Sequence, residues 1–73
     1  MGWASANPIF DRTAQALLNC KAPDATITTV LTELIDALRD GDWDTLSESM
    51  DVFRGVEPVM AAFREAAPDY FED

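Results

Sequence analysis

The chain has 73 residues, of which 14 are acidic and five basic, so its net charge is −9, and it contains no histidine and one cysteine. A chain of this length forms one domain at most and buries only about 60% of the surface that its unfolded form exposes. The composition excludes a disulfide framework and a structural zinc site, and the acidity opposes direct binding to nucleic acid or anionic lipid.

The first helix is predicted at residues 7–20. Asn7 is a favoured N-cap, and Pro8 suits the first helical position. Ala22-Pro23 marks the break after this helix, because the residue before a proline avoids helical geometry. The apolar residues predicted to face the core are Phe10, Ala14, Leu17 and Leu18.

The second helix is predicted at residues 24–40, capped by Asp24 and ended by Gly41 in the left-handed conformation. Its threonines are poor helix formers, so the helix depends on packing. The apolar stripe recurs at i, i+3, i+4, i+7, i+8 and i+11 and consists of Ile27, Val30, Leu31, Leu34, Ile35 and Leu38.

The third helix is predicted at residues 42–54 and the fourth at 57–67. Asp42 is the expected N-cap of the third helix, and Thr45 with Glu48 at capping-box spacing is the alternative. Gly55 ends the third helix, and Pro68 ends the fourth. The acidic tail, residues 69–73, either folds back over the core or frays. The predicted inner faces are Trp43, Leu46, Met50 and Phe53, then Val59, Ala62, Phe63 and Ala66.

These elements predict an all-α fold, a compact bundle of three to four short helices in a single domain spanning residues 1–73. No alternation long enough for a strand is present. The second helix is expected to be the central element, and the short connection after it predicts a helical corner or hairpin.

The corner between the second and third helices carries the strongest charge pattern. Six carboxylates and one basic residue lie between positions 36 and 51. A solvated face that keeps a small protein in solution is one interpretation, and a surface that meets a basic partner is the other. The predicted binding residues are Asp36, Asp40, Asp42, Asp44, Glu48 and Asp51, with Trp43 and Trp3 as apolar anchors. Trp43 also fits the core stripe, and Trp3 also fits a staple onto the bundle.

Metal binding and catalysis are not expected. The spacing from Asp40 resembles a calcium loop, but Thr45 stands where the loop needs glycine and Asp51 replaces the final glutamate. No histidine is present for acid–base work, and no glycine-rich phosphate loop occurs. Cys20 is expected to be buried and structural. We therefore predict no enzyme activity, no metal and no cofactor.

The localisation expected from the sequence is cytoplasmic. The N-terminus has neither the basic region nor the apolar run of a signal peptide, and no apolar run is long enough to span a bilayer. The single Cys20 agrees with a reducing compartment.

The chain resembles a group of short, uncharacterised proteins of bacteriophages and prophages, often of actinobacterial hosts. The resemblance rests on Met1-Gly2-Trp3-Ala4-Ser5, on Ile9-Phe10 and on Asp42-Trp43-Asp44-Thr45, followed by an acidic helix. Members of the group often have glycine where this chain has Ala6, which could alter the turn of the N-terminal arm. The group has no established activity, so the resemblance implies a small phage accessory protein in the host cytoplasm and assigns no residue a role.

Three functions are therefore compared. The first is an accessory protein that binds and modulates a host or phage protein, basic or DNA-binding, through its acidic surface. Its sharper form is a DNA mimic that competes for a DNA-binding protein. The second is a self-associating structural protein, as a homodimer, in which the acidity plays no part in recognition. The third is a calcium-responsive module.

Overall fold

The structure is a computed structural model that describes residues 6–41 and 43–71. Within these ranges the chain forms four α-helices, no strand and a final 3-10 turn. The helices are α1 (Ala6–Asn19), α2 (Asp24–Asp40), α3 (Leu46–Val52) and α4 (Glu57–Ala66), and the turn is Pro68–Phe71. The predicted all-α bundle is confirmed.

The ends of α1 differ from the prediction. Asn7 lies inside the first helical turn, after Ala6, so it is not the N-cap, and its side chain is used for tertiary contacts. At the other end Lys21 adopts a left-handed φ of 59°. The Lys21 N–H donates to the Leu18 carbonyl and the Ala22 N–H to the Leu17 carbonyl, both at 3.1 Å. This pair of bonds is the Schellman motif, in which glycine is the usual left-handed residue.

The predicted caps of α2 are also wrong. Asp24 is the first helical residue and Pro23 precedes the helix without a side-chain cap. Gly41 has a φ of −88°, so it is not left-handed. The Leu38 carbonyl is instead satisfied by the N–H groups of Gly41 at 3.0 Å and Trp43 at 3.2 Å. The described glycine that needs a positive φ is Gly55, at 93°, between α3 and α4.

The third helix begins at Leu46, so the predicted start at position 42 is wrong. Residues 43–45 are not helical, and Asp42 lies outside the described residues. The physical cause is tertiary: the side chains of Trp43 and Thr45 both bond to Asn7, which draws this segment onto α1 instead of into a helix. Glu48 makes no capping box, since Thr45 directs its hydroxyl to Asn7.

Helices α2 and α4 form the main helix pair, and the hydrogen bonds at their two ends show that they run parallel. Near their starts the Thr28 hydroxyl donates to the Pro58 carbonyl at 2.9 Å, and near their ends the Arg39 guanidinium donates to the Ala66 carbonyl at 2.9 Å. Helix α1 packs against both α2 and α3. The second helix is therefore central, since it contacts both α1 and α4, and α3 packs on α1.

Phe10 lies in the middle of the core. Its ring centroid is 5.0 Å from that of Phe63, 5.5 Å from that of Trp43 and 6.0 Å from that of Phe53, so one residue of α1 contacts aromatics from three later segments. Such tilted and edge-on pairs add to the gain from apolar burial. The other buried apolar residues are Ala6, Ala14, Ile27, Leu31, Ile35, Leu38, Leu46, Val59, Ala62 and Ala67.

Most of the predicted apolar residues are buried or half-buried, and Val30 is the exception. It is 40% exposed, because it lies at the edge of the α2 stripe. Ser49 was not predicted to be inside, yet it is fully buried. Its burial is explained by a hydrogen bond from Asn7.

The final turn is held by Arg39. The guanidinium bonds to the Ala66 carbonyl, reaches both carboxylate oxygens of Asp69 at 3.4 Å, and lies 5.8 Å from the centre of the Tyr70 ring. It stands near the C-terminal ends of both parallel helices, where positive charge is favoured by the two helix dipoles. Residues 68–71 therefore fold back, while residues 72 and 73 lie outside the described part of the chain.

The left-handed conformation of Lys21 costs free energy, so Lys21→Gly should stabilise the fold. We expect the free energy of unfolding to rise by about 0.5–1 kcal/mol, measured by urea denaturation followed by circular dichroism. Lys21→Ala is the matched control, because alanine removes the side chain and keeps the strain. A gain of equal size in the alanine variant would contradict this explanation.

Arg39→Lys should destabilise the fold by about 1 kcal/mol, since a lysine cannot make the bidentate contact to Asp69 and bond Ala66 together. The same denaturation experiment measures the loss. Arg64→Lys is the control, because that arginine pairs with Glu57 on an exposed face and should matter less. Equal losses at positions 39 and 64 would show that Arg39 has no special role.

Candidate functional site

The side chain of Asn7 joins α1 to the segment that leads into α3. Its Nδ2 donates to the Thr45 carbonyl at 3.0 Å and to the Ser49 hydroxyl at 2.9 Å. Its Oδ1 accepts from the Trp43 indole N–H at 3.2 Å and from the Thr45 hydroxyl. We call these four residues the Asn7 network. It spans 36 to 42 residues of sequence separation, so it is a tertiary link.

The orientation of the Asn7 amide is set by its partners. An indole nitrogen can only donate, and a backbone carbonyl can only accept. Turning the amide over would therefore place donor against donor at Trp43 and acceptor against acceptor at Thr45. In the observed orientation two donors and two acceptor positions of the amide are all used, which fixes segment 43–49 against α1 in one register.

The Asn7 network leaves the neighbouring acidic side chains outside. Trp43 and Ser49 are buried, and Thr45 is half-buried, whereas Asp44 and Glu48 between them are exposed. The same short segment thus has a polar anchored side and a charged solvent side. Because the anchored side holds the backbone, the two carboxylates project from a fixed position on the surface.

The predicted acidic residues within the described ranges are all exposed. They are Asp36, Asp40, Asp44, Glu48 and Asp51. Asp51 pairs with Arg54, which lies in the turn after α3. No basic side chain of the described residues pairs with the other four. Their charge is therefore not compensated by any residue in the described part of the chain, and we call these four the acidic surface.

The basic residues are mostly engaged elsewhere. Of five in the chain, Arg39, Arg54 and Arg64 pair with Asp69, Asp51 and Glu57. Arg39 was the one basic residue inside the predicted acidic stretch, and its guanidinium contacts Asp69 and Ala66. It makes no ion pair with Asp36 or Asp40, its neighbours along α2.

The structure tests only one of the two tryptophans that were predicted to anchor a partner. Trp43 is 3% exposed and packs against Phe10, so it belongs to the core and presents no ring to a partner. The prediction of Trp43 as a surface anchor is corrected accordingly. Trp3 and Asp42, the other predicted contacts, lie outside the described residues.

Cys20 is exposed, so its predicted burial is wrong. It follows the last residue of α1, and its thiol lies 3.3 Å from the Leu17 carbonyl.

The carboxylates do not gather at one point. In residues 6–41 and 43–71 no group of three or more acidic or cysteine side chains is arranged to hold a metal ion. The start of α3 at Leu46 separates Asp40 and Asp44 from Glu48 and Asp51, so the spacing of a calcium loop is not realised as a loop. No helix in the described ranges is long and apolar enough to cross a membrane.

No protein-family model, curated protein or solved structure shows significant similarity to this chain. The resemblance to phage and prophage proteins therefore stays a prediction. Its first sequence block, residues 1–5, lies outside the described part of the structure.

Asn7→Asp tests the network with almost no change in shape. A carboxylate cannot donate to Thr45 or Ser49, and it places negative charge against the Thr45 carbonyl. We expect the free energy of unfolding to fall by about 2 kcal/mol in urea denaturation. Gln15→Glu is the control, because it adds the same charge at an exposed position in the middle of α1. Equal effects at positions 7 and 15 would show that added charge, and not the network, is responsible.

Proposed function

We propose that this protein is a small binding module of the phage accessory type, which engages a basic surface on a host or phage protein. The observation that carries the proposal is the acidic surface: Asp36, Asp40, Asp44 and Glu48 are exposed and have no ion-pair partner among the described residues. The arginine within this stretch of sequence contacts Asp69 instead.

Uncompensated carboxylates support steering of a basic partner. A surface of one sign raises the rate of encounter with an oppositely charged partner, and the effect falls as salt screens it. A net charge of −9 on 73 residues acts in the same direction over the whole molecule. Complementary charge of this kind contributes mainly to association rate and to rejection of acidic partners.

The Asn7 network supports recognition by a fixed surface. Asp44 and Glu48 belong to a segment whose backbone and side chains are bonded to α1. A preorganised surface loses less conformational entropy when a partner binds. The charges at the end of α2 and at the start of α3 can therefore meet a partner without a folding step.

A DNA mimic is the sharper form of this proposal, with a DNA-binding protein as the partner. The spread of the carboxylates over α2 and α3, instead of one cluster, favours it over a calcium module. In this form duplex DNA should displace the protein from its partner, because both occupy the same basic surface.

Self-association is the competing function. Val52 is 64% exposed and Ile9 is 43% exposed, so apolar contacts between copies are available. The net charge of −9 opposes such a pairing at low salt. Sedimentation at several concentrations separates the two functions, since a strict monomer contradicts self-association.

The proposal predicts that a partner retained from an actinobacterial lysate by the wild type is lost when the acidic surface is neutralised. The test variant is Asp40→Asn, Asp44→Asn, Glu48→Gln. We expect its affinity for that partner to fall by at least about tenfold, because the charges are removed where contact is made. Binding of the purified partner is measured by titration calorimetry at two salt concentrations.

The control variant is Asp24→Asn, Glu72→Gln, Asp73→Asn, which removes the same net charge at positions outside both the acidic surface and the α2–α4 groove described below. It should keep most of the affinity. Equal loss in both variants would mean that overall charge, and not this surface, governs binding. Full affinity in the test variant would contradict the proposal.

A further inference from the structure

A groove of about 410 Å³ runs along the seam between α2 and α4. The two helices are parallel, so the groove has one helix on each side, from Thr28 to Glu33 on α2 and from Ala61 to Glu65 on α4, which is about one and a half helical turns. Thr28, Thr29 and Thr32 line it from α2, and Ala61 lines it from α4. Sequence reasoning treated these threonines only as weak helix formers.

Small side chains make the floor of this groove apolar. The Thr28 hydroxyl donates to the Pro58 carbonyl at 2.9 Å, and the Thr32 hydroxyl donates to the Thr28 carbonyl at 2.6 Å. Their methyl groups are what remains for a ligand to contact. Ala61 adds a methyl group from the other wall. Because these side chains are small, the backbone of a bound segment can approach the two helices closely.

The Arg64 side chain extends along α4 toward the start of that helix, where it pairs with Glu57. Positions 57, 61 and 64 share one face of α4, and Arg64 pairs with Glu57, so the ion pair spans Ala61. Among the described residues Arg64 is the one basic residue that lines the groove, and this pairing balances its charge.

The remaining walls are acidic. Glu33 on α2 and Glu65 on α4 both line the groove, both are exposed, and neither has an ion-pair partner in the described residues. An occupant that lies on the floor therefore meets a carboxylate on each side. Charge complementarity requires an occupant with lysine or arginine at its edges.

The groove continues into the acidic surface. Thr29, Glu33, Asp36 and Asp40 follow one another at i, i+4, i+7 and i+11, which places them on a single stripe of α2. Thr29 and Glu33 line the groove, and Asp36 and Asp40 extend the same stripe toward the end of the helix. One surface therefore passes from an apolar floor to uncompensated carboxylates.

We infer that the α2–α4 groove binds a short basic amphipathic helix of the partner. Its small or aliphatic residues lie on the threonine and alanine floor, and its lysine or arginine side chains reach Glu33 and Glu65. A third helix laid over two parallel helices completes a three-helix packing unit. The inference rests on the proposed function, to which it adds the chemistry of the partner segment.

A second copy of this chain does not fit the groove. Each copy carries a net charge of −9, and the groove walls are themselves acidic. Pairing copies through this face would bring like charges together around an apolar floor of modest size. The occupant is therefore a chemically different, basic segment.

The probe is a synthetic amphipathic helix of leucine and lysine, about 14 residues or four turns long. Its binding to the full chain is measured by isothermal titration calorimetry. Chemical-shift mapping then locates the peptide on the protein. Ala61→Phe fills the floor without changing charge and should weaken binding by about tenfold. Ala16→Phe makes the same substitution on an exposed position of α1 and should leave binding unchanged.

A second variant, Glu33→Gln, Glu65→Gln, alters only exposed side chains and avoids any packing problem at Ala61. It should weaken binding by a similar factor and reduce the salt dependence. Circular dichroism verifies that each variant is folded. A control peptide of leucine and glutamate should not bind.

The outcomes separate the two proposals. Loss of peptide binding in both groove variants, with Ala16→Phe unaffected, supports the groove. Unchanged binding in the groove variants overturns it. If the Asp40→Asn, Asp44→Asn, Glu48→Gln variant then loses the peptide, the acidic surface alone is the site and the proposed function stands. A wild type that does not bind the peptide overturns the groove, and the partner captured by the acidic surface still tests the proposed function.

Discussion

The four hydrogen bonds of the Asn7 amide are the constraint on which the rest of the molecule depends. They connect the first turn of α1 to Trp43, Thr45 and Ser49, and so decide where α3 begins and which way its preceding segment faces. With Trp43 held inside, its ring completes the aromatic core around Phe10. An apolar contact alone would not specify this register, whereas a fully satisfied polar group does.

Local sequence patterns predicted the elements that are decided locally. The apolar stripe of α2 repeats over three turns, and the observed helix runs from Asp24 to Asp40. The start of α3 could not be predicted in the same way. Asp42 is a good N-cap by local preference, but Trp43 and Thr45 find better partners in Asn7, 36 and 38 residues away. Tertiary contacts overrode propensity there. At Lys21 the cause is local, because a lysine occupies the left-handed position of a Schellman motif where glycine is usual.

The sequence was enough to predict the charge of the candidate site, but not most of its geometry. Exposure of the acidic residues follows from their type, because carboxylates are seldom buried. That Arg39 contacts the end of α4 depends on the parallel packing of two helices, which periodicity does not reveal. The groove beside Glu33 has the same origin. Its signal in the sequence was the i, i+4, i+7, i+11 stripe of Thr29, Glu33, Asp36 and Asp40, which becomes meaningful once α4 lies beside it.

The central claim is that the Asn7 amide and the Trp43 indole act together, and a double-mutant cycle tests it most directly. Asn7→Ala, Trp43→Phe and the double variant are compared with the wild type by urea denaturation. We expect a coupling free energy of about 1 kcal/mol or more, because either single change already breaks the bond that the second would break. Additive effects, within about 0.5 kcal/mol, would contradict it.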